Sequence, residues 1–371
     1  MSELPHPDRI EGTPHPREAA AIFGQDAAQQ EFLGAWTGGR LHHAWLLSGP
    51  RGVGKATLAW TIARFLLATP EPEQDGLFGA PEPPVSLHVP PDHPVAHRIA
   101  AGSEPGLKSV TRSPNDKGDR LSADIRVKDI RALGQFFQLS ATDGGRRVVI
   151  VDAADEMNTQ AANALLKMLE EPPARTTLLL VSHQPSRLLP TIRSRCRTLR
   201  LGPLGPSDMA RAFEQAGVAP DASTEALAEL SAGSVGEALR LSLLDGLKLY
   251  AEIIALLQAM PRADRARGLR LAEAAAARGG ETRRDLLFSL LDLALARLAR
   301  TGATGAPPAT EATPGEAQVM ARLSPSPARG RAWADLAQEV GARAQHGLSV
   351  NLDPAALVLD TLLRIQKTAA A

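Results

Sequence analysis

"HAWLLSGPRGVGKATLAW", residues 43–60, decides the fold of this chain. A short apolar run ends at Ser48 and passes into a glycine-rich loop. The residues that follow place Leu58, Ile62, Phe65 and Leu66 at helical spacing. Strand, glycine loop and helix in that order form the setting in which G-x-x-x-x-G-K-[ST] binds phosphate. Gly49, Pro50, Arg51, Gly52, Val53, Gly54 and Lys55 fit the pattern. Ala56 breaks it, because a hydroxyl residue normally stands there to hold magnesium. Thr57 does not replace it, since one step along a helix is a rotation of about 100°. Residues 49–57 are therefore the candidate nucleotide-binding set, with a vestigial loop as one reading. The amides at the helix start and the Lys55 ammonium are the groups that would meet phosphate.

Working outward, further apolar runs predict buried strands at 147–152 ("RVVIVD"), 176–182 ("TTLLLVS") and 197–202 ("RTLRLG"). Helical periodicity covers 127–139 and 159–171. Such alternation predicts a parallel sheet flanked by helices. Asp152 ends its strand where carboxylates of magnesium sites sit. The next residue is Ala153, where hydrolytic enzymes of this kind carry a glutamate that polarises water. Asp155 and Glu156 are expected to open the next helix, where acidic residues suit the N-terminus. Two positions that hydrolysis needs are thus alanine, at two separate sites.

Composition bounds the rest. A chain of 371 residues suggests two or three domains. Lys and Arg number 41, as do Asp and Glu, so net charge points neither to nucleic acid nor to an anionic membrane. The N-terminus is polar and Pro-rich, no apolar run reaches a membrane span, and a cytoplasmic protein is expected. A single cysteine, Cys196, rules out an internal disulfide framework and a Cys-rich zinc cluster. Pro and Gly crowd about 69–115, which reads as a surface insertion. After residue 208 strand signals vanish and the chain turns Ala-, Leu- and Arg-rich, with one low-complexity stretch at 301–317 expected as a flexible loop.

Three stretches together carry a family likeness: "LHHAWLLSGPRGVGKATLA" (41–59), "RRVVIVDAADEMNTQAANALLKMLEEPP" (146–173) and "LLPTIRSRCRTLRL" (188–201). They resemble the clamp-loader branch of the AAA+ proteins of bacterial DNA polymerase III. The likeness runs from 15–25 to 351–367 and thins after Gly202. It implies an α/β AAA+ P-loop domain at 1–203 with the insertion at about 69–115. A helical lid would follow at 204–245 and an all-α collar for oligomerisation at 246–371.

The resemblance also assigns roles. Ser194, Arg195 and Cys196 match the clamp-loader Ser-Arg-Cys motif, which makes Arg195 an arginine finger acting on a neighbour's nucleotide. A guanidinium suits that task, with permanent charge and several donors for a transition state spread over phosphate oxygens. Active relatives carry an arginine aligned with Gly236, and this chain has none there. The pattern is asymmetric, so the resemblance implies a DNA polymerase holoenzyme component in DNA replication that hydrolyses little or no ATP itself. A catalytically active gamma/tau-type ATPase is the alternative. The implied partners are gamma/tau and delta subunits in a hetero-pentamer, with the sliding clamp and primer-template DNA met through the complex and no membrane. Lys167, on the 159–171 helix, is a candidate DNA-facing residue, with an ion pair to Glu171 as the plain alternative. No cofactor is required; ATP or ADP with magnesium stays open, and no zinc is expected from His88, His93 and His97.

Overall fold

The computed structural model describes residues 6–70, 83–139, 145–218, 223–262 and 264–371. In chain order the first elements are α1 (Asp26–Thr37), β1 (Ala44–Ser48), α2 (Lys55–Ala68), α3 (Pro94–Ala100), β2 (Leu107–Val110), α4 (Val127–Leu139) and β3 (Arg147–Asp152). Then come α5 (Thr159–Glu170), β4 (Thr176–Ser182), α6 (Pro190–Arg193), β5 (Arg197–Arg200) and α7 (Pro206–Gln215). Among the described residues, eight further helices and no further strand follow: α8 (Thr224–Leu230), α9 (Val235–Leu243), α10 (Gly246–Ala259), α11 (Arg265–Ala276), α12 (Glu281–Thr304), α13 (Glu316–Leu323), α14 (Pro327–Ser349) and α15 (Pro354–Ala370).

The five strands form one parallel sheet in the order β2-β3-β4-β1-β5. β1 and β4 are buried along their whole length, as their unbroken apolar runs require of strands covered on both faces. One face packs on α4 and α5, where Ile130, Leu133, Ala161, Ala162, Leu165 and Leu169 join the core. The α5 stripe is thus where its period places it. Register aligns Ser48 with Ser182 and Asp152 with Val181, so β1, β3 and β4 end together. In parallel sheets, ligand sites form at such carboxyl ends.

β2 lies inside the segment expected as an insertion and pairs with β3 from Leu107 to Val110. Four half-buried residues at a sheet edge give too short a pattern to read in advance. Within the same segment His93 caps α3, its ring Nδ1 accepting from the Val95 N–H, and residues 71–82 lie outside the described residues. The expected strands and helices of the first half are all present.

Contact density divides the chain into two compact units, one of Met1–Pro220 with Gly233–Glu237, the other of Asp221–Ala232 with Ala238–Ala371. The second is helical, and its core holds Tyr250, Leu286 and Trp333. A buried ion network sits there: Arg297 Nε and Tyr250 Oη both donate to Glu316 Oε1, at 2.7 and 2.6 Å. The same network ties down the connection before α13. The Ala312 N–H donates to Glu316 Oε2, and Arg297 Nη2 donates to the Thr310 carbonyl. Glu311 adds bonds from the Gly315 and Ala317 amides. The low-complexity stretch expected to be flexible is therefore bonded in place, because Glu316 and Arg297 reach it from the flanking helices.

Candidate functional site

The glycine loop stands where β1 ends and α2 begins, with Gly54 in the left-handed region as the helix N-cap. Its carbonyls are engaged one after another. Lys55 is 3% exposed, and its Nζ donates to Gly49 O at 2.7 Å and to Pro50 O. Ser234 Oγ donates to Arg51 O at 2.9 Å, the Gly236 N–H to Gly52 O at 3.0 Å, and Gln25 Nε2 to Val53 O at 3.1 Å. Five consecutive carbonyls thus have partners within the chain, which leaves the loop conformation fixed by protein contacts alone.

Close approach explains two residues of that set. A Cβ at Gly52 would fall 2.2 Å from Ser234 Oγ, and φ there is +77°. A Cβ at Gly236 would fall 2.9 Å from the Gly52 Cα. With the loop in this shape, position 236 has no room for a side chain. Gln25 also bonds both the carbonyl and the amide of Gly202, so it links the end of β5 to the loop.

Around the loop lies a polar cluster at the strand ends. Burial lowers the Lys55 ammonium to about 8, against the pull of the Asp152 and Asp155 carboxylates. Burial likewise raises Asp152 to about 7, helped by the nearby charges of Asp8 and Glu156 and opposed by Lys55 and Arg51. Asp152 is thus close to half-protonated at neutral pH. Asp155 and Glu156 do stand in the first turn of the next helical element, a one-turn 3-10 helix over Ala154–Glu156, and Asp155 takes a further role. Its carboxylate accepts the His183 and Gln184 amides at 3.0 and 3.1 Å. Those bonds outweigh its burial and hold it below the usual carboxylate range. Glu156 pairs with Arg51 at 3.2 Å and with Arg112 at 2.8 Å.

His183 was not foreseen from the sequence. It follows β4 directly, and burial together with the Lys55 and Arg51 charges lowers it to about 4, so it is neutral at pH 7. Its Nδ1 is buried with no hydrogen-bond partner among the described residues. Its place at the end of a fully buried strand beside β1 was the available signal. Asp8 was also missed; it pairs with His15 at 3.1 Å, and His15 stacks edge-on against Trp60 of α2 at 5.6 Å.

Oxygen donors for a magnesium ion are few. Ala56 and Thr57 lie half-buried in the first turn of α2, and Ala153 is 3% exposed. Neither alanine side chain offers an oxygen to a magnesium ion.

Ser194, Arg195 and Cys196 are not brought to the loop. They precede β5, whose Arg197 pairs with Trp45 and whose Arg200 pairs with Ser48. Because the strands are parallel, Arg195 lies at the amino end of the sheet and the loop at the carboxyl end. Arg195 lies in the turn before β5, and the strand's three steps from Arg197 to Arg200, roughly 10 Å, run on from there to the level of Ser48. Cys196 packs against the sheet core, and burial pushes its thiol up to about 12. Ser194 Oγ donates to the Thr191 carbonyl at 3.2 Å. Arg195 reaches the surface, where Nη2 meets Glu170 Oε1 at 2.9 Å and Nη1 donates to Thr191 O at 3.1 Å. Lys167 is exposed on α5.

Residues 24–205 match the family model described as "DNA polymerase III, delta subunit". DNA polymerase III subunit delta' of Pseudomonas aeruginosa is 41% identical over 58% of this chain and 60% of its own length. The subunit delta' of Bacillus subtilis is 34% identical over 55% of this chain and 54% of its own. DNA polymerase III subunit gamma/tau of Mycobacterium tuberculosis is 33% identical over 62% of this chain and 37% of its own. The chain spans less than two thirds of the length of each. Among the described residues, no helix is long and apolar enough to cross a membrane.

Proposed function

We propose, from the match of residues 24–205 to the DNA polymerase III delta-subunit model and the likeness to delta' subunits, that this chain is a stator of a bacterial clamp loader. It helps place the sliding clamp on primed DNA and lends Arg195 to the nucleotide held by a neighbouring subunit. It hydrolyses little or no ATP itself. The placement of Arg195 carries the reading. The side chain stands at the opposite end of the sheet from its own loop and at the surface, so a phosphate it meets belongs to another chain. Its charge is permanent and its five N–H donors match charge spread over phosphate oxygens.

The partners are the gamma/tau and delta subunits in a hetero-pentamer, working in the cytoplasm. Residues 204–245 act as a lid and 246–371 as the collar that joins the subunits. Lys167 reaches the phosphate backbone of primer-template DNA. No nucleotide of its own is required: Lys55 bonds the loop carbonyls, the magnesium-holding hydroxyl is missing at Ala56, and the water-polarising glutamate is missing at Ala153.

Arg195→Ala in the reconstituted loader tests this. Hydrolysis at the interface it serves should slow by about a thousandfold or more, with assembly intact by gel filtration. Unchanged turnover would remove the finger assignment. The second reading, a gamma/tau-type ATPase, draws on the gamma/tau likeness and predicts magnesium-dependent turnover by the purified chain alone.

A further inference from the structure

We propose that Glu170 is the positioning residue for Arg195, holding the guanidinium plane in the attitude in which it meets a neighbour's phosphate. The inference rests on the finger reading above. Glu170 is the last residue of α5, directly after Leu169, which is buried in the sheet core. Arg195 lies between α6 and β5, flanked by Ile192 and Cys196, and both of these pack on that same core. The Arg195 N–H donates to the Ile192 carbonyl at 3.1 Å. The two partners are therefore mounted on one rigid body, and their spacing is set by packing rather than by the side chains.

The guanidinium is held at two points. Nη2 meets Glu170 Oε1 at 2.9 Å and Nη1 donates to Thr191 O at 3.1 Å. Two anchors on different nitrogens of a planar group fix its plane as well as its position. A guanidinium has five N–H donors, so the Nε–H and one hydrogen on each Nη stay available. Glu170 thus orients the group without consuming it, and orientation is what a finger needs before the transition state forms.

Stability does not account for the pair. Arg195 and Glu170 are 37% and 49% exposed, and ion pairs this open contribute little to folding. The neighbouring arginine has a different anchor: Arg197 pairs with Glu31 at 3.1 Å and lies over the Trp45 ring.

A double-mutant cycle in the reconstituted loader tests the proposal, with kcat, KM for ATP and the urea midpoint of the chain as readouts. Glu170→Ala should lower kcat about 2- to 5-fold, the range expected from losing an exposed ion pair, with KM and the midpoint unchanged. Glu170→Gln, which still offers an acceptor oxygen to Nη2, should restore most of the loss. In the Arg195→Ala background, Glu170→Ala should have no further effect. Equal losses in both backgrounds, or a lowered urea midpoint, would make Glu170 a structural residue and overturn the proposal. So would full turnover by Glu170→Ala beside an impaired Arg195→Ala. If Arg195→Ala itself leaves turnover intact, the finger reading fails first, and the two failures are told apart.

Discussion

The Gly236 amide donates to the Gly52 carbonyl at 3.0 Å, and the two Cα atoms leave no room for a side chain between them. The phosphate loop is thus closed against a segment far along the chain. Two otherwise separate departures, a loop with Ala56 and a Gly at 236, meet in one contact.

Gly236→Ala should destabilise the chain by about 1–3 kcal/mol, since its Cβ presses on the loop backbone and one side must shift. Gly236→Arg should cost at least as much and should not create ATP turnover. Urea unfolding and a phosphate-release assay on the same preparations check both.

Asp152 should give folding stability a pH dependence. Its pKa is about 7 when folded, against an ordinary carboxylate value near 4 when unfolded. The folded state binds the extra proton between those values, so the stability from this group is full below about 4 and is lost as pH rises through 7. Asp152→Asn lacks the effect. Its stability relative to the parent chain should rise by up to about 1.4 kcal/mol per pH unit between 4 and 7, then level off. His183, lowered to about 4, acts in the opposite sense below about 6.5, so the comparison with Asp152→Asn isolates the carboxylate. Urea titrations at pH 5, 6, 7 and 8 provide the test.

Glu316→Ala should cost about 3–5 kcal/mol, because it strips a buried carboxylate from Arg297, which is 4% exposed. The connection at 305–315 should then become a protease-sensitive site. Glu316→Gln keeps an acceptor and should lose less. Denaturant midpoints and limited proteolysis separate the two variants.

Cys196 should resist alkylation while the chain is folded. With its thiol near 12, thiolate at pH 8 is about a thousandfold scarcer than for an ordinary cysteine. Iodoacetamide labelling followed by mass spectrometry, with and without urea, should show reaction only after unfolding.

The residues 43–60 were enough to determine a strand, a phosphate-type loop and a helix, because hydrophobic period and glycine placement are local properties. The sheet followed from equally local apolar runs at 147–152 and 176–182. The missing hydroxyl at Ala56, the missing glutamate at Ala153 and the Ser194, Arg195, Cys196 motif were also legible, since each is a residue type at a fixed spacing. Packing decided the rest. Only the parallel register puts Arg195 at the far end of the sheet from the loop. Only the fold sets Gly236 on Gly52, turns the Asp155 carboxylate onto the His183 and Gln184 amides, and stands Glu170 beside Arg195. Those partners are far apart in the chain, and their distances depend on how buried faces stack, which no local pattern encodes.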